Sequence, residues 1–190
     1  MLRVPEVDFT VWFLEMTDPA QLAPAPEPDP ALELRQVELP APEFARALYA
    51  AVGADHFWTD RLTWSFERWR ERLAREEVEL WVGYVDGTPA GMVELEREGD
   101  SVELTVFGLL PAFVGRGLGP RLLDLAIRRA WAMEPERVWL HTCSLDSPAA
   151  LGTYERRGFT RYDEHHRRRS VPDTPPQPWP GADRPRLQPR

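Results

Sequence analysis

The chain has 190 residues, with 23 Lys and Arg against 31 Asp and Glu, so its formal charge is −8. That length suits one compact domain with tails, and the acidic balance argues against nucleic acid as the main partner. A single cysteine, Cys143, excludes an internal disulfide and is the usage of a reducing cytoplasm. No apolar run reaches the length of a membrane span, and the N-terminus lacks a basic-then-apolar secretory pattern.

Three regions follow in chain order. Residues 1–30 open with a strand-like run from Val7 to Met16 and end in a Pro-rich connector, which neither a helix nor a sheet ladder accommodates. What this first strand pairs with is left open: it covers a sheet edge or crosses to a partner. Residues 31–169 are the folded body, and the Pro-rich 170–190 reads as a solvated, disordered tail. Within the body, Leu32, Leu34 and Val37 predict a strand over 31–38, and Phe44, Ala47, Leu48 and Ala51 form one stripe of a helix over 40–52. A second helix over 63–76 carries Trp64, Phe66, Trp69 and Leu73. Strands at 78–85 and 89–96 flank Asp86-Gly87, a hairpin signal, and a third strand runs over 101–110. A helix over 118–133 and a strand over 137–143 come next. Ser147 and Pro148 read as the cap and first position of a helix that ends before Gly158, and 159–166 is a last strand. The class is mixed α/β, a meander leading into a strand–helix–strand crossover.

Between the third meander strand and its helix lies Val114-Gly115-Arg116-Gly117-Leu118-Gly119-Pro120. Glycines bring a main chain close to phosphate oxygens, and the following helix aims free N–H groups and its positive dipole end at the same place. Pro120 stiffens this turn but removes one donor. The segment, followed by Ser147, Ala150, Tyr154 and Gly158-Phe159 at their spacings, resembles the GNAT superfamily of acetyl-CoA-dependent N-acetyltransferases over about residues 31–166. The two glycines of the cofactor turn match, whereas Val114 stands where the family usually has Gln or Arg, leaving only its N–H for a phosphate.

The resemblance implies a mostly antiparallel central sheet with helices on both faces and one parallel strand pair splayed at the cofactor site. It implies acetyl-CoA as co-substrate, with Phe107, Gly108 and Leu109 pairing with the pantetheine arm and Val114, Gly115, Arg116, Gly117, Leu118 and Gly119 holding the pyrophosphate. Gly108 alone reads equally as a place of close ligand approach or an ordinary bulge. Tyr154 is the family-matched proton donor to the departing thiolate; a phenol remains protonated at neutral pH. Strict alternation puts Glu103 on the face of Phe107, and its spacing from Gly117 resembles that of the base glutamate in the histone-acetylating branch. His141, on the next strand, is the rival base or an acceptor contact. Trp58 lines the acceptor pocket, and Glu94, Glu96 and Glu103 form an acidic face that attracts an amine. The basic cluster from His165 to Arg169 reads as the solvated end of the last strand. The expected activity is acetyl transfer to a primary amine of a small molecule or peptide, in the cytoplasm, with neither nucleic acid, membrane nor metal. A longer acyl group, or an acyl-CoA sensor without turnover, are the alternatives. The oligomeric state is open, a homodimer among the options.

Overall fold

The computed structural model describes residues 6–26, 31–172 and 176–182. In chain order these form β1 (Glu6–Met16), β2 (Glu33–Gln36), α1 (Pro42–Gly53), α2 (Phe66–Leu73), β3 (Val78–Val85), β4 (Thr88–Glu98), β5 (Ser101–Leu109), α3 (Leu118–Trp131), β6 (Arg137–Cys143), α4 (Ala150–Arg156) and β7 (Thr160–Ser170). The seven strands make one sheet in the order β2-β3-β4-β5-β6-β1-β7. All pairings are antiparallel except β5 with β6. This is the mixed α/β architecture expected.

The β3–β4 hairpin turns at Asp86 and Gly87, with φ of 48° and 75°. Two consecutive left-handed residues are what a two-residue turn between twisted strands requires, and an Asp-Gly pair adopts them readily. Helix α2 is shorter than its apolar stripe suggests. The Ser65 side chain accepts from the Arg68 N–H and so starts the helix there. Helix α4 starts at Ala150 rather than Pro148, because Ser147 and Pro148 belong to a preceding turn closed by Ala150 N–H onto the Ser147 carbonyl.

The first strand does not cover an edge. It lies between β6 and β7, with Leu14 and Met16 fully buried. The connector leaves along the end of α4, where Ala23 and Arg157 exchange hydrogen bonds; its residues 27–30 lie outside the described residues. The last strand runs to Ser170, so the cluster from His165 to Arg169 is not a loose end but part of the β1–β7 ladder. Arg168 there bonds Asp8 at 2.6 Å and holds that carboxyl below its ordinary value. Val171 and Ala182 in the Pro-rich segment are buried, whereas the rest of the expected tail, 173–175 and 183–190, lies outside the described residues.

Two apolar cores sandwich the sheet. On one face α3 and α4 pack Leu122, Leu123, Ile127 and Tyr154 against Leu14, Val93, Leu104 and Leu140. On the other, α1 and α2 pack Leu48, Val52 and Trp69 against Leu80, Met92 and Val106.

Candidate active site

Parallel pairing between β5 and β6 covers only Ser101↔Arg137, Val102↔Val138 and Glu103↔Trp139. Past Glu103, β5 stays hydrogen-bonded to β4 as far as Leu109. The backbone of Phe107, Gly108 and Leu109 therefore faces a split in the sheet, with peptide groups available on that edge. An extended arm of amide character fits such an edge as an added strand does.

One register shift reorganises this strand. Glu94 pairs with Val106 but Leu95 pairs with Leu104, so Thr105 is an extra, bulged residue. Val102 and Leu104 face the α3/α4 core and Val106 faces the α1/α2 core, whereas Phe107 and Leu109 return to the α3/α4 side. The expected sharing of a face by Glu103 and Phe107 is thus overturned: Glu103 points to the α1/α2 side and Phe107 away from it. The Thr105 hydroxyl donates to Glu94 at 2.8 Å and anchors the bulge.

Gly108 is not the bulge. A Cβ there would come within 2.5 Å of Val52 Cγ1, so the close neighbour that requires glycine is α1. Trp58 lies beside it, at the end of α1: its ring packs on Tyr49 and its Nε1 donates to Asp146 at 3.4 Å. Trp58 thus reaches from β5 to the turn after β6, across the split. Asp146 also accepts from the Thr142 hydroxyl at 2.8 Å and the Cys143 N–H at 2.9 Å. Its role was missed from the sequence, where an acid in a post-strand turn carries only turn propensity.

Tyr154 occupies the opposite side of the split. It is buried, with its ring 6.0 Å from Phe107 and 6.2 Å from Phe159. Burial, aided by the nearby charge of Asp146, raises its phenol far above the ordinary range, so it stays protonated. Burial and Asp146 also raise the Cys143 thiol, which makes it a poor nucleophile.

The glycine turn lies beyond the end of β5. Gly115 and Gly117 have φ of 81° and 75°, and a side chain at either would meet nothing within 4 Å. Gly117 caps α3 without a side-chain hydrogen bond, so the first-turn N–H groups of Leu118 and Gly119 have no helical partner. This is a cradle of bare backbone with open space before it, and it fits a pyrophosphate. The Val114 N–H, expected to serve a phosphate, instead closes a turn onto the Pro111 carbonyl at 3.4 Å. The Arg116 guanidinium lies over the Phe113 ring.

On the α1/α2 side of the sheet the acidic face is mostly neutralised. Glu94 is 1% exposed and is gripped by Arg61 at 2.9 Å and Arg72 at 2.7 Å. Glu96 meets Arg72 and Arg75, each at 2.6 Å. Of the three acids, Glu103 alone meets His141, whose Nδ1 lies 3.0 Å from Oε1.

No curated protein matches the chain in sequence. Solved structures share its fold. They include a GCN5-related N-acetyltransferase from Sphaerobacter thermophilus, with 18% identity and a TM-score of 0.63 over 87% of this chain and 53% of that one. A spermidine N-acetyltransferase from Vibrio cholerae, solved with CoA and spermine, has 21% identity and a TM-score of 0.58 over 70% of this chain and 82% of that one. An aminoglycoside acetyltransferase from an uncultured soil metagenomic sample, solved with sisomicin, has 11% identity and a TM-score of 0.56 over 68% and 89%. The chain spans only 53% to 63% of the length of several of these similar structures, the Sphaerobacter protein among them. A sequence model of the acetyltransferase (GNAT) family matches residues 37–159, well over half of the chain, which therefore belongs to that family of acyl-transferring enzymes.

Proposed function

We propose that the protein moves an acetyl group from acetyl-CoA to the primary amine of a small molecule or peptide by direct attack. The observation that carries this reading is the early end of the β5–β6 pairing at Glu103 and Trp139, beside an uncapped, glycine-lined start of α3. Backbone at Phe107, Gly108 and Leu109 would pair with the pantetheine, and the N–H groups of residues 115–119 would meet the pyrophosphate. The thioester then lies in the split, between Tyr154 on one face and Trp58 on the other.

Acyl transfer needs a proton taken from the amine and one given to the sulfur. The Glu103–His141 pair is on the acceptor side for the first task. Tyr154, held protonated, is on the α4 side for the second. Trp58 and His141 would contact the acceptor. The spermidine and aminoglycoside enzymes of the same fold act on small amines, which favours an acceptor of that class. No helix among the described residues is long and apolar enough to cross a membrane. With its one free, half-buried thiol, the protein suits a cytoplasmic setting.

Calorimetric titration of the folded chain with acetyl-CoA, followed by thiol release with a panel of polyamines, aminoglycosides and arylalkylamines, tests the proposal. Binding and amine-dependent release are expected. Absence of binding overturns the transferase reading. Binding without release on any amine points to an acyl-CoA-binding module instead, and faster release from longer acyl esters corrects the acyl group.

A further inference from the structure

Glu103 and His141 entered the sequence analysis as rivals. The geometry points to a division of labour: His141 is the base that takes the amine proton, through Nε2, and Glu103 is a positioning residue that never touches the acceptor. This inference rests on the transferase reading above.

Place and exposure carry it first. Glu103 and Trp139 are the last paired residues of the parallel strands. His141 is the next residue of β6 on the same face, so it stands at the mouth of the split. The Glu103 side chain is 10% exposed, whereas that of His141 is 50% exposed. The carboxylate lies behind and the imidazole in front, toward solvent and any arriving amine. The surroundings hold this order. Phe13 pairs with His141 across β1 and β6, its ring 5.9 Å away, and Trp139 lies 6.3 Å off on the same strand. Behind Glu103, carboxylate oxygens of Glu96 and Glu98 gather within 4.8 Å of its own. Glu96 is engaged by Arg72 and Arg75.

Tautomer chemistry carries it second. A carboxylate only accepts hydrogen bonds, so the 3.0 Å contact to Oε1 places the proton of a neutral ring on Nδ1. Nε2 is then a bare lone pair on the side of the ring away from Glu103. During transfer the amine nitrogen uses its lone pair to form the new C–N bond to the thioester carbon, and the C–S electron pair leaves on sulfur. The surplus N–H proton passes to His141 Nε2, and the sulfur receives the Tyr154 hydroxyl proton. The imidazolium formed donates to Glu103 through Nδ1, which stabilises it as charge appears. The products are the amide and free CoA thiol, and the two side chains recover by returning the surplus proton from His141 through solvent to Tyr154.

The test uses the full chain labelled with 15N, with acetyl-CoA and the best amine of the panel above. At a pH where the His141 ring is neutral, imidazole 15N spectra of the unvaried protein are expected to show the proton on Nδ1 and Nε2 bare. His141→Gln is expected to lower kcat by roughly 10²–10⁴-fold. Glu103→Gln is expected to lower it less, with both KM values and acetyl-CoA binding kept. The double variant is expected to be no slower than His141→Gln alone, because Glu103 acts only through the ring. A ring protonated at Nε2, a larger loss in Glu103→Gln than in His141→Gln, or multiplying losses in the double variant overturns this inference while the transferase reading stands. Failure of the unvaried chain to bind acetyl-CoA overturns that reading instead. The ring spectrum does not depend on turnover, so it scores the pair even where a variant fails to fold.

Discussion

Burial, with a nearby carboxylate, keeps the Tyr154 phenol protonated, as its proposed role of proton donor requires. No cation stands among the groups that shift its phenol, and the carboxylate of Asp146 adds to the effect of desolvation, so its proton is retained until a stronger base arrives. Tyr154→Phe keeps the ring packing on Phe107 and Phe159 and removes only the hydroxyl. Its kcat is expected to fall by about 10²-fold while acetyl-CoA affinity, read by calorimetry, changes little. The cradle is tested at Gly117, whose φ is 75° and whose missing side chain faces open space. Gly117→Ala adds a left-handed strain of about 1–2 kcal/mol without blocking the turn, so it is expected to bind acetyl-CoA with modest loss. Gly117→Glu brings bulk and negative charge to the same point, and calorimetry should detect no binding by the folded variant.

At the scale of elements, the bulge in β5 and the helix α2 are joined by one buried carboxylate. Glu94 receives Arg72 from α2, Arg61 from the segment before it and the Thr105 hydroxyl from the bulge. Burial by itself would raise the Glu94 carboxyl, but the charges of Arg61 and Arg72 outweigh it, and the net direction is below the ordinary 4.5. A carboxyl whose folded value is depressed stabilises the fold above its unfolded value, and that contribution is lost as pH falls through the folded one. Wild-type stability is therefore expected to decline in acid, below about pH 4.5, with a component absent from Glu94→Gln. At neutral pH the same variant takes the Glu94 charge from Arg61 and Arg72, of which Arg72 keeps Glu96, and is expected to cost about 3 kcal/mol. Urea denaturation across pH checks both expectations.

At the scale of the whole molecule, the sheet depends on a strand from the far N-terminal side of the chain. β1 is interior, paired with β6 on one side and β7 on the other, and it supplies Phe13 opposite His141 as well as Leu14 and Met16 to the core. Both β1 and β7 lie outside the residues that match the family model. Without β1, the strand that carries His141 would lose its antiparallel neighbour. Leu14→Ala, at a fully buried site, is expected to cost about 2–5 kcal/mol by urea denaturation. Removal of residues 1–17 is expected to abolish cooperative unfolding, because β6 and β7 would each present an unpaired edge.

Much of this was legible locally. The Asp86-Gly87 hairpin, the glycine cradle and the place of Tyr154 before Gly158 depend on the backbone freedom of consecutive residues or on spacing along one helix, which the sequence by itself determines. Three features were decided only by the tertiary structure. They are the insertion of β1, the bulge at Thr105 that turns Phe107 away from the face of Glu103, and the 3.0 Å meeting of Glu103 with His141. Strand order and a one-residue register shift arise from pairing between segments far apart in the chain, and alternation along a single strand carries no trace of them.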